Sequence, residues 1–302
     1  MARRIREGET AGRIARRIVR RETKKAGKSL SSTWPVADDS IHDARKRVKK
    51  ARAALRLARE TFGERLFRRE NHALRDAARP LSEMRDAKIL VEALDALMAD
   101  LSRSDRRVAS RLRATLLANQ VRIRRHSLRR KEDLAPLLGS LESIQIRARR
   151  WPEGKGRKAQ PRSGVERVYE AGRAAAAAAR LEPTVEHLHE WRKQAKYLWH
   201  QLQFLGPFRR QGLEKLERQV RALSDRLGED HDLAVLRQRL ARAPVKIARA
   251  ARDTMTRAID RRRCALQAKA WVLGAKVYRE RPGEFRDRIR RELRSRGPGR
   301  RR

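Results

Sequence analysis

The stretch Ile41-His42-Asp43-Ala44-Arg45-Lys46-Arg47-Val48-Lys49 decides how this chain is to be read. Its apolar series, carried forward, is Ile41, Ala44, Val48, Ala51, Leu55, Ala58 and Phe62. Steps of three and four alternate, the mark of a helix with one buried seam. Beside the seam runs a second stripe: His42, Arg45, Lys49, Arg52, Arg56 and Arg59. The same spacing stacks these side chains along one flank of the helix. A rise of ~1.5 Å per residue sets a cation about every 5 Å over roughly 25 Å. Like charges so placed repel by tenths of a kcal/mol per pair, which solvent or an extended anion along the flank would relieve. One such run alone reads as a solvated face.

The run does not stand alone. His189-Glu190-Trp191-Arg192-Lys193-Gln194-Ala195-Lys196 follows 147 residues later, with His, acid, Arg-Lys and Lys in the same order. Its seam is Leu188, Trp191, Ala195, Leu198, Leu202 and Leu205. Its stripe is His189, Arg192, Lys196, Trp199 and Gln203, with Lys193 and His200 beside it, so Trp199 stands where Arg52 stood. A second echo pairs Leu81–Asp86 with Leu227–Asp232 at an offset of 146. Two motifs with agreeing offsets indicate a duplicated unit. The helix after each first motif adds its own stripe. Asn71, Arg75, Ala78, Ser82 and Arg85 answer to Glu217, Arg221, Ser224, Gly228 and His231. Asp86 and Asp232 each follow directly. An acid kept in so basic a setting orients an arginine or caps a helix. Because the repeated residues are cations, what was duplicated reads as half of an anion site.

Composition points the same way. The 302 residues carry 79 Lys and Arg against 37 Asp and Glu, a net charge of +42. Such an excess repels itself in a compact fold and calls for a polyanionic partner or a solvated surface. Cys264 is the single cysteine, so no intrachain disulfide forms and a reducing compartment fits. The start, Met1-Ala2-Arg3-Arg4-Ile5-Arg6-Glu7, has no apolar run behind it and does not read as a secretory signal. No stretch approaches the ~18 apolar residues of a membrane span. A cytoplasmic protein without membrane contact is expected.

Helical periodicity dominates and no strand-like alternation of any length is found. Breaks are read at Trp34-Pro35, Gly63, Gly206-Pro207 and Ala243-Pro244, with Pro80 and Pro136 starting or kinking helices. Residues 151–164, from Trp151-Pro152-Glu153-Gly154 through Pro161 to Gly164, read as a linker. It parts a first helical repeat, 1–150, from a second, 165–296, with a basic, disordered tail at 297–302. Each half reads as about four helices.

In this order and in duplicate, the motifs resemble the CHAD domain, a family named for conserved histidines in an α-helical domain. The likeness rests on His-x-x-Arg-Lys-x-x-Lys at His42–Lys49, matched by His189, Arg192, Lys193 and Lys196. It extends to Asn71-x-x-Leu74-Arg75-Asp76, Leu81-Ser82-x-x-Arg85-Asp86, Leu227–Asp232 and a closing Tyr278–Phe285, roughly residues 5 to 295. The resemblance implies an all-α fold of two four-helix-bundle repeats, related by a pseudo-twofold around a basic central channel. It also implies binding of inorganic polyphosphate and association with polyphosphate granules. Carried over, the channel would be lined by His42, Arg45, Lys46, Lys49, Arg52, His189, Arg192, Lys193 and Lys196, with Arg56 next along the stripe. Arg75, Arg85, Arg221 and His231 would join from the second helices. Many relatives carry an attached triphosphate-tunnel domain; this chain has no such strands, so no hydrolase activity is carried over.

The composition also admits two other classes. A nucleic-acid binder suits the charge, but aromatics are only 4%, which leaves few stacking platforms. Neither zinc-finger spacing nor an RNA-recognition signature is present. Weak contact with duplex phosphates stays open, above all through the basic termini. For an enzyme the sequence offers little. His187, His189 and His200 would have to share a metal, yet a two-residue helical step turns side chains about 200° apart. Cys264 lies beside Arg261, Arg262 and Arg263 without a placed base, and reads as an incidental thiol. The sequence therefore points to a non-catalytic polyphosphate binder without cofactor or metal, and no feature sets its oligomeric state.

Overall fold

The structure, a computed structural model, describes residues 9–156, 159–205, 211–242 and 248–293. Among these there are eleven α-helices, one 3-10 turn and no strand. The first half holds α1 (Ala11–Leu30), α2 (Asp38–Leu57), α3 (Arg59–Ala77), α4 (Arg79–Met98), α5 (Arg103–Ser127) and α6 (Ala135–Ala148). The second holds α7 (Pro161–Leu181), α8 (Val185–Leu205), α9 (Gln211–Ala241), α10 (Arg249–Val277) and α11 (Pro282–Leu293). The fold is all-α, with more helices per half than the four expected. The breaks at Gly206-Pro207 and Ala243-Pro244 and the tail at 297–302 lie outside the described residues.

Local chemistry sets the helix ends. Thr10 caps α1, its hydroxyl accepting from the Arg13 backbone N–H at 3.3 Å. Asp38 and Asp39 occupy the first turn of α2, where negative charge meets the positive end of the helix dipole. Pro80 and Pro136 sit in the opening turns of α4 and α6, where a missing N–H removes no hydrogen bond. Gly63 interrupts α3 at φ 72°, a conformation that favours glycine. Pro80 also explains why the halves differ. It parts α3 from α4, whereas the second repeat has Arg226 at the matching position and α9 runs on unbroken.

The duplicated helices occupy matching places. α1 packs on α2 and α6 as α7 packs on α8 and α11, and α4 packs on α5 as α9 packs on α10. Three helices also touch their own counterparts: α2 meets α8, α4 meets α9, and α5 meets α10. Both expected seams are buried throughout. One continuous core joins Ile14, Ile18, Val48 and Leu55 to Trp191, Leu198, Tyr169 and Phe285 of the other half. A second cluster lies between α4, α5, α9 and α10, around Leu94, Leu112, Leu236 and Ile259.

The start of the connection between the halves is anchored at Trp151 and Glu153. Trp151 is 2% exposed, with its ring edge-on to Phe62 at 5.2 Å. Glu153 accepts from Arg13 at 2.9 Å and Arg16 at 3.0 Å. α7 already begins at Pro161. There Gly164 lies directly against the backbone of Leu57, and no Cβ would fit. Buried acids serve the same economy of charge. Glu22 meets Arg21 and Arg47, Glu70 meets Arg69 and Arg147, and Asp230 meets Arg263. Paired carboxylates inside let arginines anchor the outside of so basic a chain.

Candidate functional site

Four helices surround a cavity of about 340 Å³. α2 contributes Arg45, Lys49 and Arg52, and α8 contributes His189, Arg192, Lys193, Lys196, Tyr197 and His200. α4 adds Asp86, Ile89 and Leu90, and α9 adds His231, Asp232 and Val235. Lys46 interacts electrostatically with Lys196, and Arg56 with Glu190, so α2 and α8 run in opposite senses past each other. The two cationic stripes, which stand more than a hundred residues apart in sequence, share one wall.

Eight of the fourteen expected site residues line this cavity: Arg45, Lys49, Arg52, His189, Arg192, Lys193, Lys196 and His231. Two more stand close by. His42 feels Arg85, Lys46, Lys49 and Arg45, and Lys46 is exposed beside them. Arg56 lies behind the wall, its guanidinium 4.2 Å from the centre of the Tyr197 ring. Arg85 is held by both oxygens of Glu92 at 3.1 Å. It faces a neighbouring cavity that shares Ile89 and Asp232 with the first. Arg75 and Arg221 do not line the cavity, although Arg221 is near enough to Lys196 to act on its charge. Arg75 is exposed and pairs with Asp76 at 2.9 Å. Arg221 lies 5.7 Å from the Trp199 ring and 3.8 Å from Asp225. Their stripe presumed a helix lying along the channel. Pro80 breaks that helix in the first half, and in the second about 15 Å of α9 separates Arg221 from His231.

Sequence reasoning missed part of the wall. Ile89 and Val235 face the cavity three residues after Asp86 and Asp232, and the 146-residue offset relates them too. That repeat was the available signal. Asp86 orients an arginine as expected, accepting from Arg45 at 3.0 Å. Tyr197 and His200 carried no such mark. Trp199, in place of Arg52, is 9% exposed, and the Lys196 ammonium sits 4.6 Å from its ring.

The cavity is short of negative charge. Arg45 has Asp86, Arg52 has the Asn71 side-chain oxygen at 3.1 Å, and Lys193 turns to Glu190. Among the described residues neither Lys49 nor Arg192 has a hydrogen-bonded or ion-paired partner. On the same wall, buried Arg192 Nε, His231 Nδ1 and His200 Nε2 also make no hydrogen bond. These three polar atoms are placed to hydrogen-bond a group in the cavity.

The electrostatics agree. Lys49 is accessible to the cavity yet enclosed by protein. That burial, with Arg45, Arg192 and Lys196 around it, pulls its ammonium down to about 7. Burial also lowers Lys196, Arg45, His42 and His189, each pushed further by neighbouring cations. His231 falls to about 4, by burial and then by Arg192 and His189. Burial and neighbouring cations thus hold all three imidazoles below the ordinary histidine value. Burial raises Asp232, against the pull of Arg192. An anion in the cavity returns charge to the lysines and histidines driven towards neutrality, and presses Asp232 further towards its neutral form.

The CHAD domain family model matches residues 6–241, from the segment before α1 to the end of α9. The Tyr278–Phe285 segment lies beyond the match. No curated protein matches the chain. The matched span contains both cationic stripes and every residue that lines the cavity, and it covers well over half of the sequence; the chain belongs to the CHAD domain family.

Proposed function

We propose that this protein binds inorganic polyphosphate in the cavity between α2, α4, α8 and α9, without transforming it. One observation carries the reading: six Lys and Arg side chains line the cavity against two carboxylates, Asp86 and Asp232, and among the described residues Lys49 and Arg192 make no ion pair. A phosphate chain supplies closely spaced anionic oxygens without the bulk of a nucleobase. Arginine can meet them bidentately and lysine as a point charge. The family is associated with polyphosphate and triphosphate binding. In this reading Arg45, Lys49, Arg192 and Lys196 make the direct contacts, with Arg52, Lys193, His189 and His231 around them. His42, Lys46 and Arg85 guide the chain at the edges. A pseudo-twofold between the repeats is supported by the contacts of α2, α4 and α5 with their own counterparts. Residence on polyphosphate granules in the cytoplasm follows from the same reading.

A weaker, sequence-blind attraction for nucleic acid is the second reading, favoured by the exposed Arg103, Arg107 and Arg111 of α5. The experiment separates site from background by removing equal charge at two places. One variant replaces Arg45, Lys49, Arg192 and Lys196 with Ala; the other replaces Arg296, Arg300, Arg301 and Arg302. Losing direct contacts removes charge-assisted hydrogen bonds of about 1.5–3 kcal/mol each before non-additivity. Losing the tail removes only screened attraction. The stripe variant is expected to lose at least about tenfold more polyphosphate affinity than the tail variant, roughly 1.4 kcal/mol. Duplex DNA should weaken about equally with both. Equal loss of polyphosphate affinity in the two variants would sink the proposal.

A further inference from the structure

His200 belongs to neither copy of the cationic motif; its counterpart in the first repeat is Ala53. It is 1% exposed, yet it forms part of the cavity wall. Its ring stacks on Trp199 at 4.7 Å, which fixes its plane. Nδ1 faces Gln203 Oε1 at 3.5 Å, and among the described residues Nε2 has no hydrogen-bond partner. Lys196 on its own helix and Lys50 and Lys49 on α2 are the charges that act on it.

We propose that His200 is an additional anion-binding residue, an uncharged one, which donates Nε2–H to a phosphate oxygen. This rests on the polyphosphate reading of the cavity. The donor arrangement needs the proton on Nε2 and an acceptor role for Nδ1. Gln203 meets that need by presenting its NH2 to the ring in place of its oxygen, a half-turn of an amide whose two ends are alike in shape. The long 3.5 Å contact holds the amide only loosely in its present sense. Burial, together with Lys196 and Lys50, drives the ring down to about 3, so it stays neutral where the other site groups titrate. An uncharged donor has a distinct use here. Each further cation adds to the repulsion among Lys49, Lys196 and Arg192, whereas a neutral N–H adds direction without charge. It also makes the site unequal at its two ends, since the first repeat offers charged Arg52 where the second offers Trp199 and His200.

The test compares His200→Phe, which fills the ring space without a donor, with His200→Gln, whose amide nitrogen reproduces Nε2. Binding of inorganic polyphosphate of defined length is measured for the full chain at several salt concentrations and at pH 6 and 8. His200→Phe is expected to bind about tenfold more weakly at both pH values, the loss of one hydrogen bond to a charged group. Its salt dependence should match the wild type, because no counterion-releasing charge is lost. His200→Gln should stay within about twofold of the wild type. Wild-type affinity in His200→Phe, or a flatter salt dependence, overturns the proposal. If His200→Phe does not fold, nitrogen-15 NMR of the wild type decides. The His200 Nε2 resonance should move when polyphosphate is added, and an unmoved resonance overturns the proposal. A wild-type protein that does not bind polyphosphate above the tail's background would instead overturn the proposed function.

Discussion

Replacing Lys49 with Met should make the protein more stable and a poorer binder at once. The Lys49 ammonium falls from 10.5 to about 7 in the folded chain. At ~1.36 kcal/mol per unit the shift is large, but Lys49 is open to solvent through the cavity, and screening cuts the cost of keeping it charged to on the order of 1–2 kcal/mol. The folded pKa lies below the unfolded one, so the proton prefers the unfolded chain. The penalty is therefore complete below about pH 7 and fades as pH rises towards about 10.5. Water in the cavity and relaxation of Lys49 reduce what an experiment recovers. Even so, Lys49→Met should gain at least about 1 kcal/mol at pH 6 in urea unfolding, and the gain should shrink by pH 10. Binding moves the other way. An anion restores the ammonium's proton, so wild-type affinity should rise as pH falls from about 9 to 7, with proton uptake visible by calorimetry in buffers of different ionisation enthalpy. Lys49→Met should lose roughly 10-fold or more in affinity and most of that pH response. A variant less stable than the wild type at pH 6, or one that keeps the response between pH 7 and 9, would refute the reasoning.

Other outcomes follow from the same geometry. Replacing His42 and His189 together with Ala should leave binding above about pH 7 nearly unchanged and weaken it only in acid, because burial and neighbouring cations hold both imidazoles below the ordinary histidine value; binding isotherms from pH 5 to 8 check this. Arg147→Ala strips one partner from the fully buried Glu70 and should lower stability by on the order of 2–3 kcal/mol, read by denaturant unfolding, with cavity binding intact. Gly164→Val places side-chain atoms where the Leu57 backbone already lies and should cost about 1–3 kcal/mol, visible as an earlier unfolding midpoint.

Helix identity and the core faces were legible because they rest on short-range period. Every member of the seams from Ile41 and from Leu188 is buried. The site was legible where the same period placed it, on α2 and α8. It was not legible where placement depended on a helix axis. Arg75 stands about one turn before the Ala78–Pro80 break, and the spacing of side chains along a helix says nothing about the direction the next helix takes. His200 escaped for another reason. Its position on the wall follows from the crossing of α8 with α2, a tertiary fact without a local pattern. The lowered proton affinities of His231 and Lys49 were likewise out of reach, since they come from enclosure by four helices at once.

The contacts of α2 with α8 and of α4 with α9 have a consequence for how such a site stays intact at low abundance. Each half by itself presents one cationic flank and one open apolar face, and a complete cavity would require two halves to meet. As separate molecules they would meet in proportion to their concentration and part on dilution. The covalent connection between α6 and α7 makes that meeting intramolecular, at an effective concentration on the order of millimolar. Covalent continuity thus makes the pocket indifferent to how many copies of the protein the surroundings hold. It also frees the two flanks to diverge, because Trp199 and His200 need no longer serve against a copy of themselves.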